Sequence, residues 1–281
     1  MGALLALGAA LTYGLGDFVG GFASQRATAW AVAFTAQLAG ATAVLALATV
    51  VDGSPTGADL GWAVLGGIGN GLGTAFLYRG LSSGRMGVVA PVSGVGATLV
   101  PVVVGLLAGE RPSLLVWLGF LAALPAIWLV ARQPAGVAVD GRPAPRSSGL
   151  ADGVLAGLGF GAMFAALAEV REGAGLLPLA VNQGVAGLAI VAVAVLVRVP
   201  WVPRERGAAL GVVSGLLGAT ATGLFLLATR EDLLAVAAVL TSLYPAVTVL
   251  LAALVLRETV HRGQAVGLAL CAAAVVLVAG G

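Results

Sequence analysis

The chain has 281 residues with 14 basic and 12 acidic side chains, a net charge of +2, and 60% of its residues are hydrophobic. Charged residues make up 9%, against about 25% in an ordinary soluble domain, and the mean hydropathy is +1.07. So few charges cannot cover a soluble globule of this size; lipid is the solvent that suits the composition, which excludes secreted domains, nucleic-acid binders and ordinary cytosolic enzymes.

Absent residue types narrow the chemistry further. There is no lysine, hence no Walker A lysine and no ATP-driven transport by this chain alone. One cysteine, Cys271, and one histidine, His261, leave no disulfide framework, no thiolate metal cluster and no HExxH zinc site. No cofactor or metal is expected.

Nine polar or turn-forming breaks divide the chain into ten apolar segments, each near the roughly 20 residues that a membrane helix needs. The spans are expected at 3–22, 29–50, 60–80, 87–108, 114–131, 150–170, 175–197, 207–228, 233–256 and 263–280.

The first segment lacks a basic start and runs into further spans, so it reads as a retained helix rather than a signal peptide. It carries Tyr13 and, one turn later, Asp17, a carboxylate that costs a few kcal/mol inside a bilayer on insertion scales. Asp17 therefore reads as a protonatable coupling group or a counter-ion for an amine; the plainer alternative is a helix-end carboxylate paired with Arg26. The second span holds Gln37, and the seventh holds Gln183 with Asn182 beside it; such amides most often tie helices together. On the third span Asn70, Thr74 and Tyr78 follow an i, i+4, i+8 spacing and share one stripe. Ser93 on the fourth span and Thr241, Ser242 and Tyr244 on the ninth complete a polar lining for substrate. Pro91, Pro101 and Pro245 interrupt the fourth and ninth spans, where a kink would shape a cavity or a gate.

Glu110 and Glu258 lie in short turns and read as helix caps or partners of Arg111 and Arg257. The small-residue faces Gly67xxxGly71, Gly69xxxGly73, Gly153xxxGly157, Gly157xxxGly161 and Gly211xxxGly215 mark close helix approach rather than a dinucleotide fingerprint. His261 falls in a short connection and has no catalytic role.

The two halves look like copies. Shifting the chain by 148 residues lays Glu110 on Glu258, Gly119 on Gly267 and Thr74 on Thr222. At nearly the same shift Tyr13-Gly14 meets Phe160-Gly161 and Gln37 meets Gln183. The expected organisation is a first five-helix repeat at 1–131, a polar linker at 132–149 and a second repeat at 150–281. With five spans each, the second copy enters the membrane the opposite way round, an all-α inverted-topology repeat of the kind that secondary transporters use.

On the aromatic-Gly pairs, on Gly109-Glu110 followed by Gly119, and on Arg257-Glu258 followed by Gln264-Ala265-Val266-Gly267, the chain resembles the drug/metabolite transporter superfamily, specifically its EamA-type members with ten spans. The resemblance covers essentially the whole chain. It implies a central cavity lined mainly by spans 1, 3, 4, 6, 8 and 9 and the movement of small metabolites. The family often has Trp where Tyr13 and Phe160 stand, and Arg where Gln37 stands.

Eleven of the 14 arginines fall in connections after odd-numbered spans. The positive-inside rule then puts those connections in the cytoplasm and both termini outside. The expected protein is a multi-pass secondary transporter of a bacterial cell membrane, exporting amino acids or related amphipathic metabolites. Sugar or metabolite uptake by proton symport is the alternative, and an enzyme is disfavoured by the missing nucleophile–base and metal sets. Its partners are a small-molecule substrate and the lipid bilayer, with no nucleic acid; the sequence leaves monomer and homodimer open.

Overall fold

A computed structural model describes residues 1–82, 86–131, 148–255 and 262–280. Arg257, Glu258 and His261, and nearly all of the 132–149 linker, lie outside these residues. The described chain is helical, without strands: α1 (Gly2–Ser24), α2 (Ala29–Ala48), α3 (Gly57–Ser82), α4 (Met86–Leu107), α5 (Leu114–Ala131), α6 (Ser148–Ala168), α7 (Leu177–Leu196), α8 (Leu210–Glu231), α9 (Leu234–Thr241), α10 (Tyr244–Val255) and α11 (Arg262–Ala279). Six of these, α1, α2, α3, α6, α7 and α8, are long and apolar enough to cross a membrane. The others carry shorter apolar stretches, among them Val92–Leu107 and Leu114–Leu129.

Local chemistry sets the ends. Thr28 caps α2, its Oγ1 accepting from the Ala31 amide at 3.3 Å. Thr56 and Asp59 form a reciprocal capping box on α3: the Thr56 amide donates to Asp59 Oδ2 at 2.7 Å, and the Asp59 amide donates to Thr56 Oγ1 at 3.4 Å. Gly109, at φ +97°, lets the chain turn sharply just beyond α4.

The expected ninth span is two helices. α9 ends at Thr241 and α10 begins at Tyr244, next to Pro245; the ring disfavours helical geometry at the residue before it and removes one backbone donor. The fourth span differs from expectation, for α4 continues as one helix through Pro91 and Pro101. α5 holds a proline as well, Pro125.

The most extensive helix packing joins the first five helices to the later ones. α3 packs on α6 and α7, α4 on α6, α1 on α8 and α10, α2 on α7 and α8, and α5 on α11. Exchanging α1 with α6, α2 with α7, α3 with α8, α4 with α9–α10 and α5 with α11 carries this set of pairs onto itself. The glycine faces make such packing close. A methyl carbon on Gly69 would stand 2.5 Å from the Gly159 carbonyl oxygen, and one on Gly215 would run into the Ala36 carbonyl. Only glycine allows these backbones to meet.

Two ion pairs pin α3 to the α6 region. Arg79 donates to Asp152 at its C-terminal end, and Arg171, just beyond α6, donates to Asp59 at 2.8 Å at its N-terminal end. The arginine side chains are 41% and 56% exposed while both carboxylates are buried. Asp59 and Arg79 lie twenty residues apart on one helix, about 30 Å at 1.5 Å per residue, which is the thickness of a hydrocarbon core. Charged heads at both ends and apolar helix between them fit a bilayer-spanning bundle.

Candidate functional site

The chain contains three tyrosines, and all three line one cavity between α1, α2, α3, α6, α7, α8 and α10. It is small: the centres of water-sized molecules can occupy about 50 Å³ of it. Of the residues expected to bind substrate, Tyr13, Asp17, Asn70, Thr74, Tyr78 and Tyr244 border it, as do Gln37 and Gln183, expected to be structural. Ser93 stands behind Tyr244, its Oγ 3.2 Å from the phenol oxygen. Thr241 and Ser242 are buried at the α9–α10 break instead of bordering the cavity; Thr241 Oγ1 donates to the Ala6 carbonyl at 3.4 Å.

One wall is an amide network. Gln37 Nε2 donates to Asn70 Oδ1 at 3.2 Å and to Thr74 Oγ1 at 3.0 Å. Asn70 Nδ2 donates to Asn182 Oδ1 and to Gln183 Oε1, each at 3.0 Å. These bonds tie α2, α3 and α7 together, as expected for Gln37 and Gln183, while leaving both amides on the cavity surface.

Another part of the lining is aromatic. The Tyr13 and Phe164 rings meet edge-on with centroids 6.0 Å apart, and the Tyr13 and Tyr244 centroids are 6.3 Å apart. Phe160 and Phe164 border the space from α6. Tyr13 Oη lies 2.6 Å from Thr222 Oγ1, and Tyr78 Oη lies 2.5 Å from Ser214 Oγ.

Asp17 sits half-buried among these groups. No hydrogen bond or ion pair to it is made among the described residues. The alternative partner, Arg26, lies instead over the Phe22 ring at 3.6 Å from its centroid.

Sequence reasoning left Phe160, Phe164, Ser214, Gly218 and Thr222 out of the site. The repeat carried the signal for most of them. Thr222 is the counterpart of Thr74, Phe160 of Tyr13 and Gly218 of Asn70. Phe164 follows Phe160 by four residues, as Asp17 follows Tyr13. The lining is thus asymmetric, the first half of the chain supplying Asp17 and Asn70 where the second supplies Phe164 and Gly218.

A bundle of long apolar helices defines a multi-pass membrane protein. The family comparison gives its class: the model described as "EamA-like transporter family" matches residues 1–132 and 147–280. The chain belongs to the EamA-like transporter family and is a membrane transporter of the drug/metabolite superfamily. No match is found among curated proteins. The fold is similar to a solved structure described as "Crystal structure of protein", with a TM-score of 0.68 and 17% sequence identity, covering 98% of this chain and 95% of that one.

Proposed function

We propose that the protein is a secondary transporter that moves small amphipathic metabolites, amino acids or related compounds, out of the cell by alternating access. The observation that carries the reading is the cavity itself, whose walls come from both sets of helices, with Tyr13, Asn70 and Tyr78 contributed by the first and Phe160, Thr222 and Tyr244 by the second. A site shared between two bodies is exposed to one face or the other as those bodies rock. Two five-helix repeats of opposite topology, 1–131 and 150–281 with 132–149 between them, are such bodies. The paired helix contacts and the twofold family match support this division into ten spans.

In this reading Asp17 is the coupling group, taking up and releasing a proton as the cavity changes sides. Pro245, beside the α9–α10 break, is the hinge or gate element, and Pro91 and Pro101 shape the fourth span. The arginine bias supports cytoplasmic odd-numbered connections and external termini in a bacterial cell membrane. The test is uptake by proteoliposomes of labelled amino acids, amines and sugars, with and without a pH gradient. Saturable flux above protein-free vesicles is expected for an amino-bearing compound; saturable flux of sugars alone would move the assignment to uptake of that class, and none for any compound would remove it.

A further inference from the structure

Hydrogen-bond bookkeeping around the cavity points to the charge of its ligand. Thr222 Oγ1 donates its one hydrogen to the Gly218 carbonyl at 2.8 Å, so in the 2.6 Å contact with Tyr13 the phenol must be the donor. Ser214 Oγ likewise donates to the Gly16 carbonyl at 2.8 Å, so Tyr78 is the donor in its 2.5 Å contact. Both phenol hydrogens are therefore directed into the protein, and the lone pairs of Tyr13 and Tyr78 are left for the cavity.

The amide wall follows the same rule. Gln37 spends its hydrogens on Asn70 and Thr74, and Asn70 Nδ2 turns to Asn182, Gln183 and, at 3.5 Å, the Gln37 carbonyl oxygen, which keeps acceptor capacity, while the Gln183 amide nitrogen donates to none of these groups. Asp17 adds a carboxylate without a protein partner, and no arginine borders the cavity. The lining is thus one negative charge, several acceptors, one amide nitrogen from Gln183 and a set of aromatic faces.

We propose that this cavity recognises a small organic cation with N–H donors, an alkyl- or arylammonium or a guanidinium, seated against Asp17 with its charge facing the Tyr13 and Tyr244 rings. Cations are attracted to aromatic faces, and ammonium–carboxylate hydrogen bonds are about twice as strong as neutral ones. A zwitterion would bring a carboxylate that finds neither an arginine nor a lysine here, and an anion would meet Asp17 directly. The inference rests on the transporter reading for its biological use and narrows its substrate class from amino acids to amine cations.

The test uses the full chain in lipid nanodiscs, with empty nanodiscs as the blank, and titrates three near-isosteric probes by calorimetry: phenethylammonium, 2-phenylethanol and phenylacetate. Phenethylammonium is expected to bind about tenfold or more tighter than the alcohol, with phenylacetate weakest. Asp17→Asn should bring ammonium and alcohol to similar affinity. Equal or tighter binding of the alcohol or the anion, or no binding of phenethylammonium, overturns the proposal. The ligand series on the parent protein decides the matter even where the variant fails to fold. Proteoliposome flux of benzylguanidinium, permanently charged and slow to cross lipid, separates the two readings. Cation-selective binding without flux upholds the site and removes transport, whereas flux of neutral or zwitterionic compounds without cation preference removes this inference alone.

Discussion

Tyr78 Oη stands 2.5 Å from Ser214 Oγ, which joins α3 to α8 on the cavity surface and turns the phenol lone pairs inward. The direction of that bond depends on Ser214 having given its own hydrogen to Gly16, across to α1. Ser214 thus fixes the polarity of a group on another helix.

Ser214→Ala should therefore weaken cation binding without removing any ligand contact that Tyr78 makes. The freed phenol hydrogen can then turn into the cavity, exchanging an acceptor for a donor. A loss of about tenfold in cation affinity is expected, the worth of one net hydrogen bond, with little change for a neutral probe. Equal losses for cation and neutral probes would mean that Ser214 only packs α8.

Gly215 and Gly218 lie one turn apart on α8 and predict opposite outcomes. Gly215→Ala forces its methyl into the Ala36 carbonyl and should destabilise the bundle by about 1–3 kcal/mol. Gly218 has open space where its Cβ would be and borders the cavity. Gly218→Ala should keep the parent's thermal midpoint in detergent while reducing transport by narrowing the site. The same shift in midpoint for both variants would contradict the packing argument.

Most of the helices and the polar stripe on α3 were legible in the sequence, because lipid burial demands long apolar runs and a polar group within them is conspicuous. Asp152 was missed for the opposite reason: it stands at the start of an apolar run, and its partner Arg79 is far away in sequence. The break at Ser242-Leu243 was legible from Pro245, whereas Pro91 and Pro101 gave the same signal in α4, which continues through both. Ser214 has nothing in the sequence to single it out, and Thr222 stands out only as the counterpart of Thr74; three-dimensional pairing with Tyr78 and Tyr13 distinguishes them. Asp17 was conspicuous by cost alone, yet its lack of a partner required the structure.

Glu110 illustrates a cap that crosses the molecule. Its carboxylate accepts from the Leu234 amide at 2.6 Å and the Ala235 amide at 3.1 Å, covering the exposed donors at the start of α9. Glu110→Ala should cost about 1–2 kcal/mol, with Glu110→Gln intermediate, read as thermal unfolding in detergent. Identical midpoints for Glu110→Ala and parent would show that water replaces the cap without loss.

The arginine bias predicts an orientation that labelling can check. Arg26 and Arg206 share one end of the bundle, since the Thr28 amide donates to Glu205 at 2.9 Å and Gly207 packs on Arg26. Arg171 lies at the other end, beside Asp59. With Cys271 replaced by alanine, a cysteine at Val202 should be protected from impermeant thiol reagents in intact cells, while one at Gly57 should be labelled. A reporter fused after Gly281 should be active only outside the cytoplasm. The reverse labelling, with a cytoplasm-active fusion, would invert the assignment.

The coupling prediction rests on Asp17. Among the described residues no arginine neutralises it, and it borders the cavity shared by both sets of helices. A carboxylate in that position can exchange a proton with whichever compartment the cavity faces, and so link a pH gradient to net movement. Asp17→Asn keeps the size and much of the hydrogen-bonding capacity of the side chain but removes its titration. Gradient-driven accumulation should be abolished, while downhill flux of a neutral analogue continues at matched protein levels. The comparison is made in proteoliposomes, with the pH gradient imposed and then collapsed by an ionophore. Accumulation by Asp17→Asn equal to the parent's would exclude Asp17 as the coupling group. A parent whose flux ignores the gradient would instead be a facilitator, in which the unpaired carboxylate serves recognition alone.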